Sequence, residues 1–260
     1  MINRPSSPAI ILAAFGTTVL RGMKTFEQID GAARGRFAGH VVRWAFTSGL
    51  VSRRLSGQGV VTRRVEEVLA ELATAGYGQV AIQPLHVAPG HEFARLGQIA
   101  CGGLEIAVGR PLLDSDEDVR RVAAAIAREV RPEATNVLVL HGTNDCPACD
   151  RWNLALARAI EASHVFAASL EGLPGLQPLQ RARRHAARTG RVHFIPAMLA
   201  AGGHIAHDVL GDRPDSWKNL LAARDPSCAP PLGHNRAVLD VYFDHLEEAM
   251  GRLSGPSPAR

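Results

Sequence analysis

Short apolar runs alternate with longer segments of helical spacing along the whole chain, and this alternation restricts the fold more than any other feature. The six apolar runs span residues 9–15, 41–46, 79–85, 136–140, 165–170 and 192–195. Segments 63–75 and 116–129 between them carry apolar residues at spacings that fall on one face of a helix. Strands that alternate with amphipathic helices form parallel sheets covered by helices. The sequence therefore predicts an α/β fold.

The two halves of the chain echo each other. Residues 12–18, Leu-Ala-Ala-Phe-Gly-Thr-Thr, resemble residues 138–144, Leu-Val-Leu-His-Gly-Thr-Asn, and both are apolar strands that run into a Gly-Thr turn. Residues 83–91 likewise resemble residues 196–204, and both end in Gly-His. Either match alone could arise by chance, but two matches in the same order indicate an internal duplication. We predict two similar domains, 1–125 and 126–260, with a ligand cleft at the carboxyl ends of their strands.

Composition narrows the class of protein. Of the 260 residues, 46% are hydrophobic and 21% are charged, which is typical of a globular chain. The net charge of +4 comes with scattered arginines, which favours an anionic small molecule over nucleic acid as the partner. We find neither a leader peptide nor a stretch long enough to span a bilayer, so we expect a cytoplasmic protein with no membrane partner. A homo-oligomer stays compatible with the sequence, and the tail from Ser254 is expected to be frayed.

Four cysteines are too few for a disulfide scaffold, so we expect reduced thiols. Cys146 and Cys149 nevertheless form a C-x-x-C pair directly after a predicted strand end. This spacing could mark a redox pair or half of a zinc site, but a second C-x-x-C pair is missing. Cys101 or Cys228 could complete such a site only if the fold brings them close.

Histidines stand at two predicted strand ends in the second half. His141 precedes the Gly-Thr turn, where its imidazole could serve as a metal ligand or a base; a hydrogen-bonded structural histidine is the alternative. His204 follows the last apolar run, and a helix that begins there would place His207 and Asp208 beside it at i+3 and i+4. Such a group suits cobalt, nickel or ferrous iron without choosing among them. For His207 and Asp208 the alternative is a solvated helix face.

Other polar residues follow strands in both halves. Glu171 ends the run 165–170 and could accept protons or bind a cation. His91 and Glu92 hold the corresponding position in the first half and are candidates for substrate contact, with an exposed loop as the alternative. His86 lies within an apolar run and is interpreted as a satisfied core histidine.

Two features in the first half could contact an anionic or apolar ligand. Phe15 and Thr17, from the first Gly-Thr turn, are further candidates for substrate contact or for support of the site. The adjacent pairs at 53–54 and 63–64 are all arginine and could meet carboxylates or phosphates. Solvated helix faces are the alternative for both arginine pairs.

Seven motifs in order resemble those of the anaerobic sirohydrochlorin cobaltochelatases, over about residues 10–217. They are Phe-Gly-Thr-Thr at 15–18, Arg-Trp-Ala-Phe-Thr-Ser at 43–48, Gln-Pro-Leu-His-Val at 83–87, His-Gly-Thr at 141–143, Leu-Glu-Gly at 170–172, Met-Leu-Ala-Ala-Gly-Gly-His at 198–204 and Asp-Ser-Trp-Lys at 215–218. The resemblance implies two flavodoxin-like halves that grip a tetrapyrrole, and a class II chelatase of the anaerobic cobalamin pathway. Such an enzyme needs neither ATP nor an organic cofactor and takes a divalent metal, Co²⁺, as substrate.

The resemblance also implies roles for three residues of the second half. His141, Glu171 and His204 fall on the family's metal-binding and catalytic positions. By analogy, the histidines hold the cation above the ring while Glu171 helps take the pyrrole protons. The chain departs from the family at 144–149, Asn-Asp-Cys-Pro-Ala-Cys, where relatives tend to carry a His-Pro-Ala-Asn type of run. A nickel or ferrous chelatase, or a noncatalytic tetrapyrrole- or metal-binding protein, are therefore the alternatives.

Overall fold

The computed structural model describes residues 7–57, 61–144 and 146–253, apart from the side chains at 20, 21 and 147–149. The tail from Ser254 lies outside the described residues. The strands are β1 Ala9–Ala14, β2 Val42–Phe46, β3 Gln79–Pro84, β4 Glu105–Val108, β5 Thr135–Leu140, β6 Val165–Ser169, β7 Val192–Pro196 and β8 Ser227–Cys228. The α-helices are α1 Leu20–Arg36, α2 Gly49–Ser56, α3 Val65–Thr74, α4 His91–Leu96, α5 Asp116–Ala127, α6 Pro147–Ala159, α7 Gln177–Thr189, α8 Trp217–Leu220 and α9 Arg236–Gly251.

The strands form two four-stranded sheets with the same order. The first sheet runs β2-β1-β3-β4 and the second runs β6-β5-β7-β8, and every pair is parallel. The strand before each Gly-Thr turn, β1 or β5, is therefore an inner strand of its sheet. This arrangement confirms the predicted α/β fold with two parallel sheets. The domain boundary at residue 125 stays a prediction.

The two edge strands that the sequence did not reveal are short. β4 has four residues and β8 only two, too few to show a pattern of their own. Pairing with the neighbouring strands defines them, through Gln79↔Glu105 and Phe194↔Cys228. Their existence thus depends on tertiary contacts.

Successive residues of β1 pack into different hydrophobic clusters, as period-two geometry requires. Ile10 and Leu12 belong to one cluster, while Ala9 and Ile11 belong to the other, and all of them are fully buried. The second cluster also holds the apolar face of α3, which the helical spacing of 63–75 predicted. Such strands read as continuous apolar runs because helices cover both faces of the sheet.

The last helix, α9, packs against the first sheet. It packs mainly against β3 and α5. Tyr242 is fully buried and donates a hydrogen bond to the His86 carbonyl at 3.1 Å, and Phe243 stacks edge-on against Phe37 of α1. The C-terminal segment thus completes the core of the N-terminal sheet. No helix in the described part of the chain is long and apolar enough to cross a membrane.

A buried polar cluster fastens α9 to α5. His245 Nε2 lies 3.0 Å from Asp118 Oδ1, and Ser115 and Arg110 donate to the other carboxylate oxygen at 2.7 and 3.1 Å. Burial alone would raise the pKa of Asp118, but the hydrogen bonds from His245 and Ser115 and the charges of His245 and Arg110 outweigh it and lower the pKa to about 2. The carboxylate therefore stabilises the folded chain wherever it is ionised.

The lowered pKa of Asp118 gives a test by pH. The pKa of Asp118 is 3.8 in the unfolded chain and about 2 in the folded chain. The contribution of this carboxylate to the free energy of unfolding is therefore complete above about pH 4 and is lost as the pH falls toward 2. Asp118→Asn should lower the free energy of unfolding at pH 7 by about 2 kcal/mol and flatten its decline between pH 4 and 2. Urea unfolding of the variant, beside exposed Asp116→Asn as the control, measures both. Parallel pH curves for wild type and Asp118→Asn would contradict this account.

Candidate functional site

Three of the predicted site residues lie on loops at the carboxyl ends of neighbouring strands in the second sheet. His141 directly follows β5, and Glu171 follows β6 after one intervening residue. His204 begins a π-helix, His204–Val209, that follows β7. Since β5 pairs with both β6 and β7, the parallel topology brings the three loops to one edge of the sheet.

The two histidines are in direct contact. Their ring centroids are 4.9 Å apart and the rings are nearly perpendicular, at 88°. His141 Nδ1 donates to the Gly142 carbonyl at 2.7 Å, and His204 Nδ1 donates to Asp208 Oδ2 at the same distance. In a neutral imidazole, a hydrogen on Nδ1 leaves the lone pair on Nε2. Both rings are thus held as tautomers that could ligate a cation through Nε2.

Asp208 lies on the same π-helical turn as His204. The sequence predicts an ordinary helix from His204, whereas the observed turn is wider and closes with a hydrogen bond from Leu210 N to the Ile205 carbonyl at 3.0 Å. The carboxylate still reaches the His204 ring. His207 is exposed on this turn.

Glycine backbone fixes Glu171 beside His141. Glu171 N donates to the His141 carbonyl at 2.9 Å. Gly142 has φ +71°, and a Cβ there would lie 1.7 Å from the Glu171 carbonyl oxygen. Gly172 has φ +58°, and a Cβ there would lie 2.3 Å from the Thr143 carbonyl oxygen. Only glycine permits this close packing of the two turns, because any other residue would place a Cβ against the facing backbone.

The Glu171 side chain is exposed, and no hydrogen bond or ion pair ties its carboxylate to the described residues. Its backbone is therefore anchored while its carboxylate can still meet a ligand. Glu171 was predictable from its position after a strand, whereas the role of the two glycines becomes visible only when both turns are seen together.

Loops of the two halves meet next to these residues. A Cβ at Gly202 would lie 3.3 Å from Thr17 Oγ1, which itself accepts a hydrogen bond from Val19 N at 3.2 Å. Cys146 Sγ donates to the Pro89 carbonyl at 3.4 Å. Thr17 is buried here, whereas the Phe15 side chain is 50% exposed beside it. Strand-end loops from both sheets thus border a common region, as the predicted cleft requires.

The other candidates of the first half lie on α4. His91 is its first residue, and Glu92 forms an ion pair with Arg95 at 3.8 Å. Glu92 also borders a shallow hollow with Phe46 and Arg64. Among the described residues, no hydrogen bond or ion pair that the structure shows joins these two candidates to His141 or His204.

No group of three His, Cys, Asp or Glu side chains lies close enough to hold a metal ion within the described ranges. The described cysteines are also separated. Cys101 packs with the first sheet and Cys228 with the second, while Cys146 precedes α6 and contacts Pro89. Neither of the two distant cysteines is brought to Cys146, and the Cys149 side chain lies outside the described residues.

His86 differs in part from the prediction. It lies two residues after β3, and its Nε2 is 3.3 Å from Thr47 Oγ1, but its buried Nδ1 has no hydrogen-bond partner in the described part of the chain. The interpretation as a fully satisfied core histidine was therefore wrong for one ring nitrogen. Burial lowers the pKa of His86 to about 4, which keeps the ring neutral near pH 7.

The chain matches a known protein family over most of its length. The family model described as cobalt chelatase (CbiK) matches residues 8–251. The sirohydrochlorin cobaltochelatase CbiKC of Nitratidesulfovibrio vulgaris is 32% identical over 94% of this chain and 91% of its own length. The sirohydrochlorin cobaltochelatase of Salmonella typhimurium is 29% identical over 79% of this chain and 82% of its own.

A solved structure shows the same fold. SirB from Bacillus subtilis with Fe³⁺ superposes with a TM-score of 0.65, covering 96% of this chain and 99% of its own, at 14% identity. The family match spans both sheets, the histidine pair and all the described residues except 7, 252 and 253. The chain therefore belongs to the cobalt chelatase (CbiK) family of metal chelatases.

Proposed function

We propose that this chain inserts Co²⁺ into sirohydrochlorin, without ATP or an organic cofactor, in anaerobic cobalamin biosynthesis. The observation that carries the proposal is the contact between His141 and His204, with each Nδ1 hydrogen engaged and each Nε2 lone pair left for a cation. The names of the two relatives supply the substrate, a tetrapyrrole, and the metal. The proposed setting is the cytoplasm.

An incomplete ligand set suits a metal that is a substrate. A structural ion is held by a closed set of protein ligands, whereas a metal that must react keeps open positions. His141 and His204 would supply two nitrogens and leave the remaining positions for water and then for the ring nitrogens. Imidazole is a good ligand for Co²⁺, Ni²⁺ and Fe²⁺, and Asp208 would raise the basicity of His204.

Metallation also needs an acceptor for the pyrrole protons. In our proposal the Glu171 carboxylate takes these protons one at a time and releases each to water before it accepts the next. Its backbone is hydrogen-bonded to His141, while its side chain makes no ion pair with the described residues. Glu171 could also ligate the incoming ion. Accepting protons beside the bound cation would couple loss of the N–H hydrogens to formation of the metal–nitrogen bonds.

The macrocycle would lie between the strand-end loops of the domains proposed at 1–125 and 126–260. Phe15 and Leu173 are 50% and 54% exposed on loops of opposite sheets, and such apolar side chains suit contact with a flat ring. Thr17 would support the Phe15 turn. Further contacts are proposed for His91, Glu92 and His207.

Metal dependence is the direct test of this function. Purified protein mixed anaerobically with sirohydrochlorin should change its absorption spectrum fastest with Co²⁺ and without ATP, compared with Ni²⁺ and Fe²⁺ under the same conditions. A higher rate with Ni²⁺ or Fe²⁺ would reassign the metal. Binding of sirohydrochlorin with no spectral change for any metal would identify a noncatalytic binding protein and defeat the proposal.

His204→Ala tests the histidine pair. Because the His204 side chain is 46% exposed, its removal should leave the thermal unfolding midpoint nearly unchanged. The rate of cobalt insertion should fall by about 100-fold or more, as expected for a metal ligand. His164 lies just before the amino end of β6, away from the site at the carboxyl ends of the strands. His164→Ala is therefore the matched control. If His204→Ala unfolds instead, or retains full activity, the assignment is wrong.

Glu171→Gln tests the proton acceptor. The amide keeps the size of the side chain but cannot take a proton, so turnover should fall by about 100-fold while Co²⁺ and sirohydrochlorin still bind. Stopped-flow spectra and equilibrium titrations separate the two effects, with exposed Glu161→Gln as the control. Unchanged turnover would remove Glu171 from the mechanism.

A further inference from the structure

The two arginine pairs of the first half have different surroundings. Arg63 and Arg64 directly precede α3 and form ion pairs with glutamates of that helix. Arg63 lies 2.8 Å from Glu71, and Arg64 lies 3.6 Å from Glu66. The side chains at 53 and 54, on α2, are also exposed, but they form no ion pair or side-chain hydrogen bond with the part of the chain that the structure describes. Arg63 and Arg64 are therefore neutralised by nearby carboxylates, whereas Arg53 and Arg54 have no carboxylate partner among the described residues.

Helix α2 begins at the edge of the first sheet that faces the proposed cleft. Thr47, the residue after β2, donates through its N–H to the Ala14 carbonyl at 2.9 Å, which ties the chain to the end of β1. Ser48 then caps the helix by accepting from Val51 N at 3.4 Å. A Cβ at Gly16 would lie 2.8 Å from Val51 Cγ1, so the first turn of α2 packs against the turn that carries Phe15.

The guanidinium of Arg53 lies toward this same end of α2. A Cβ at Gly49, the first residue of the helix, would be 3.5 Å from Arg53 Nη1. Helical side chains lean toward the N-terminus, which accounts for the direction. Arginine in the last turn of a helix often interacts favourably with the unpaired carbonyl groups at the C-terminus, but the Arg53 guanidinium lies toward the N-terminus of α2. That common structural role therefore does not explain Arg53.

Apolar surface accompanies this charge. Phe15 is 50% exposed and Leu50 is 53% exposed, on the turn after β1 and at the start of α2. Exposed apolar side chains beside a guanidinium that pairs with no carboxylate of the described residues suit a ligand that is flat and apolar in the middle and anionic at its rim. Sirohydrochlorin, a macrocycle with several peripheral carboxylates, has this chemistry.

We propose that Arg53, assisted by Arg54, binds peripheral carboxylates of the tetrapyrrole and so orients the ring over the histidine pair. The inference rests on the proposed function and adds a substrate-binding residue in the first half of the chain. Guanidinium groups bind carboxylates through two parallel hydrogen bonds, which fixes orientation as well as position. Arg53 is thus a determinant of specificity for carboxylated rings and takes no part in the proton transfer.

Arg53→Gln should weaken binding of metal-free sirohydrochlorin by about tenfold, the loss expected for a hydrogen bond to a charged group. The KM should rise with it, while kcat at saturation stays near the wild-type value. Affinity should also depend less on salt, because one ion pair is gone. Arg63→Gln is the matched control, and Arg53→Lys should recover part of the affinity. Anaerobic absorbance titrations at several salt concentrations measure the Kd of each variant.

A second probe isolates the carboxylates. Wild type should bind uroporphyrin more tightly than its methyl ester, and Arg53→Gln should lose part of this discrimination. Wild-type metallation with unchanged Kd values in Arg53→Gln and in Arg53→Gln/Arg54→Gln would overturn the inference and leave the proposed function standing. A wild-type chain that neither binds nor metallates sirohydrochlorin would overturn both.

Discussion

Parallel pairing of β5 with β6 on one side and β7 on the other is the constraint on which the site depends. It brings three separate loops to one edge of the second sheet. The contact between Gly142 and the Glu171 carbonyl then locks two of the loops together at the backbone. The side chains at this edge can remain exposed because the sheet and the glycine turns, rather than side-chain packing, set their positions.

Hydrogen bonds to the histidine rings explain how polar side chains are held at this edge of the sheet. Nδ1 of His141 and Nδ1 of His204 are each satisfied by a short hydrogen bond. The ring atoms that would do chemistry are therefore separate from those that hold the rings. His245, in contrast, is buried and uses both ring nitrogens in hydrogen bonds, to Asp118 and to the Arg110 carbonyl. It therefore has no nitrogen left for a ligand and links α9 to α5 instead.

Much of the fold was predictable because apolar runs with helices on both faces are distinctive. The sheet order and the edge strands β4 and β8 were not, since they arise from pairing between distant segments. At the site, residue type and strand-end position identified His141, Glu171 and His204. The i+4 spacing also predicted that Asp208 lies beside His204, as the structure shows. The π-helical turn and the different surroundings of the arginine pairs required the coordinates, because each depends on distances that sequence spacing does not specify.

The position of α9 has a consequence for how the chain is made. Buried side chains of Arg236–Gly251 cover β3 and α5, so one layer of the N-terminal sheet comes from a segment that is synthesised after the strands of both sheets. During synthesis, Leu85 and its apolar neighbours in this core stay incompletely covered until that segment arrives. The second sheet, whose strands and covering α7 precede α9 in the chain, can close earlier. Although the sheets are encoded in order, the first half can therefore be the last to reach its final packing.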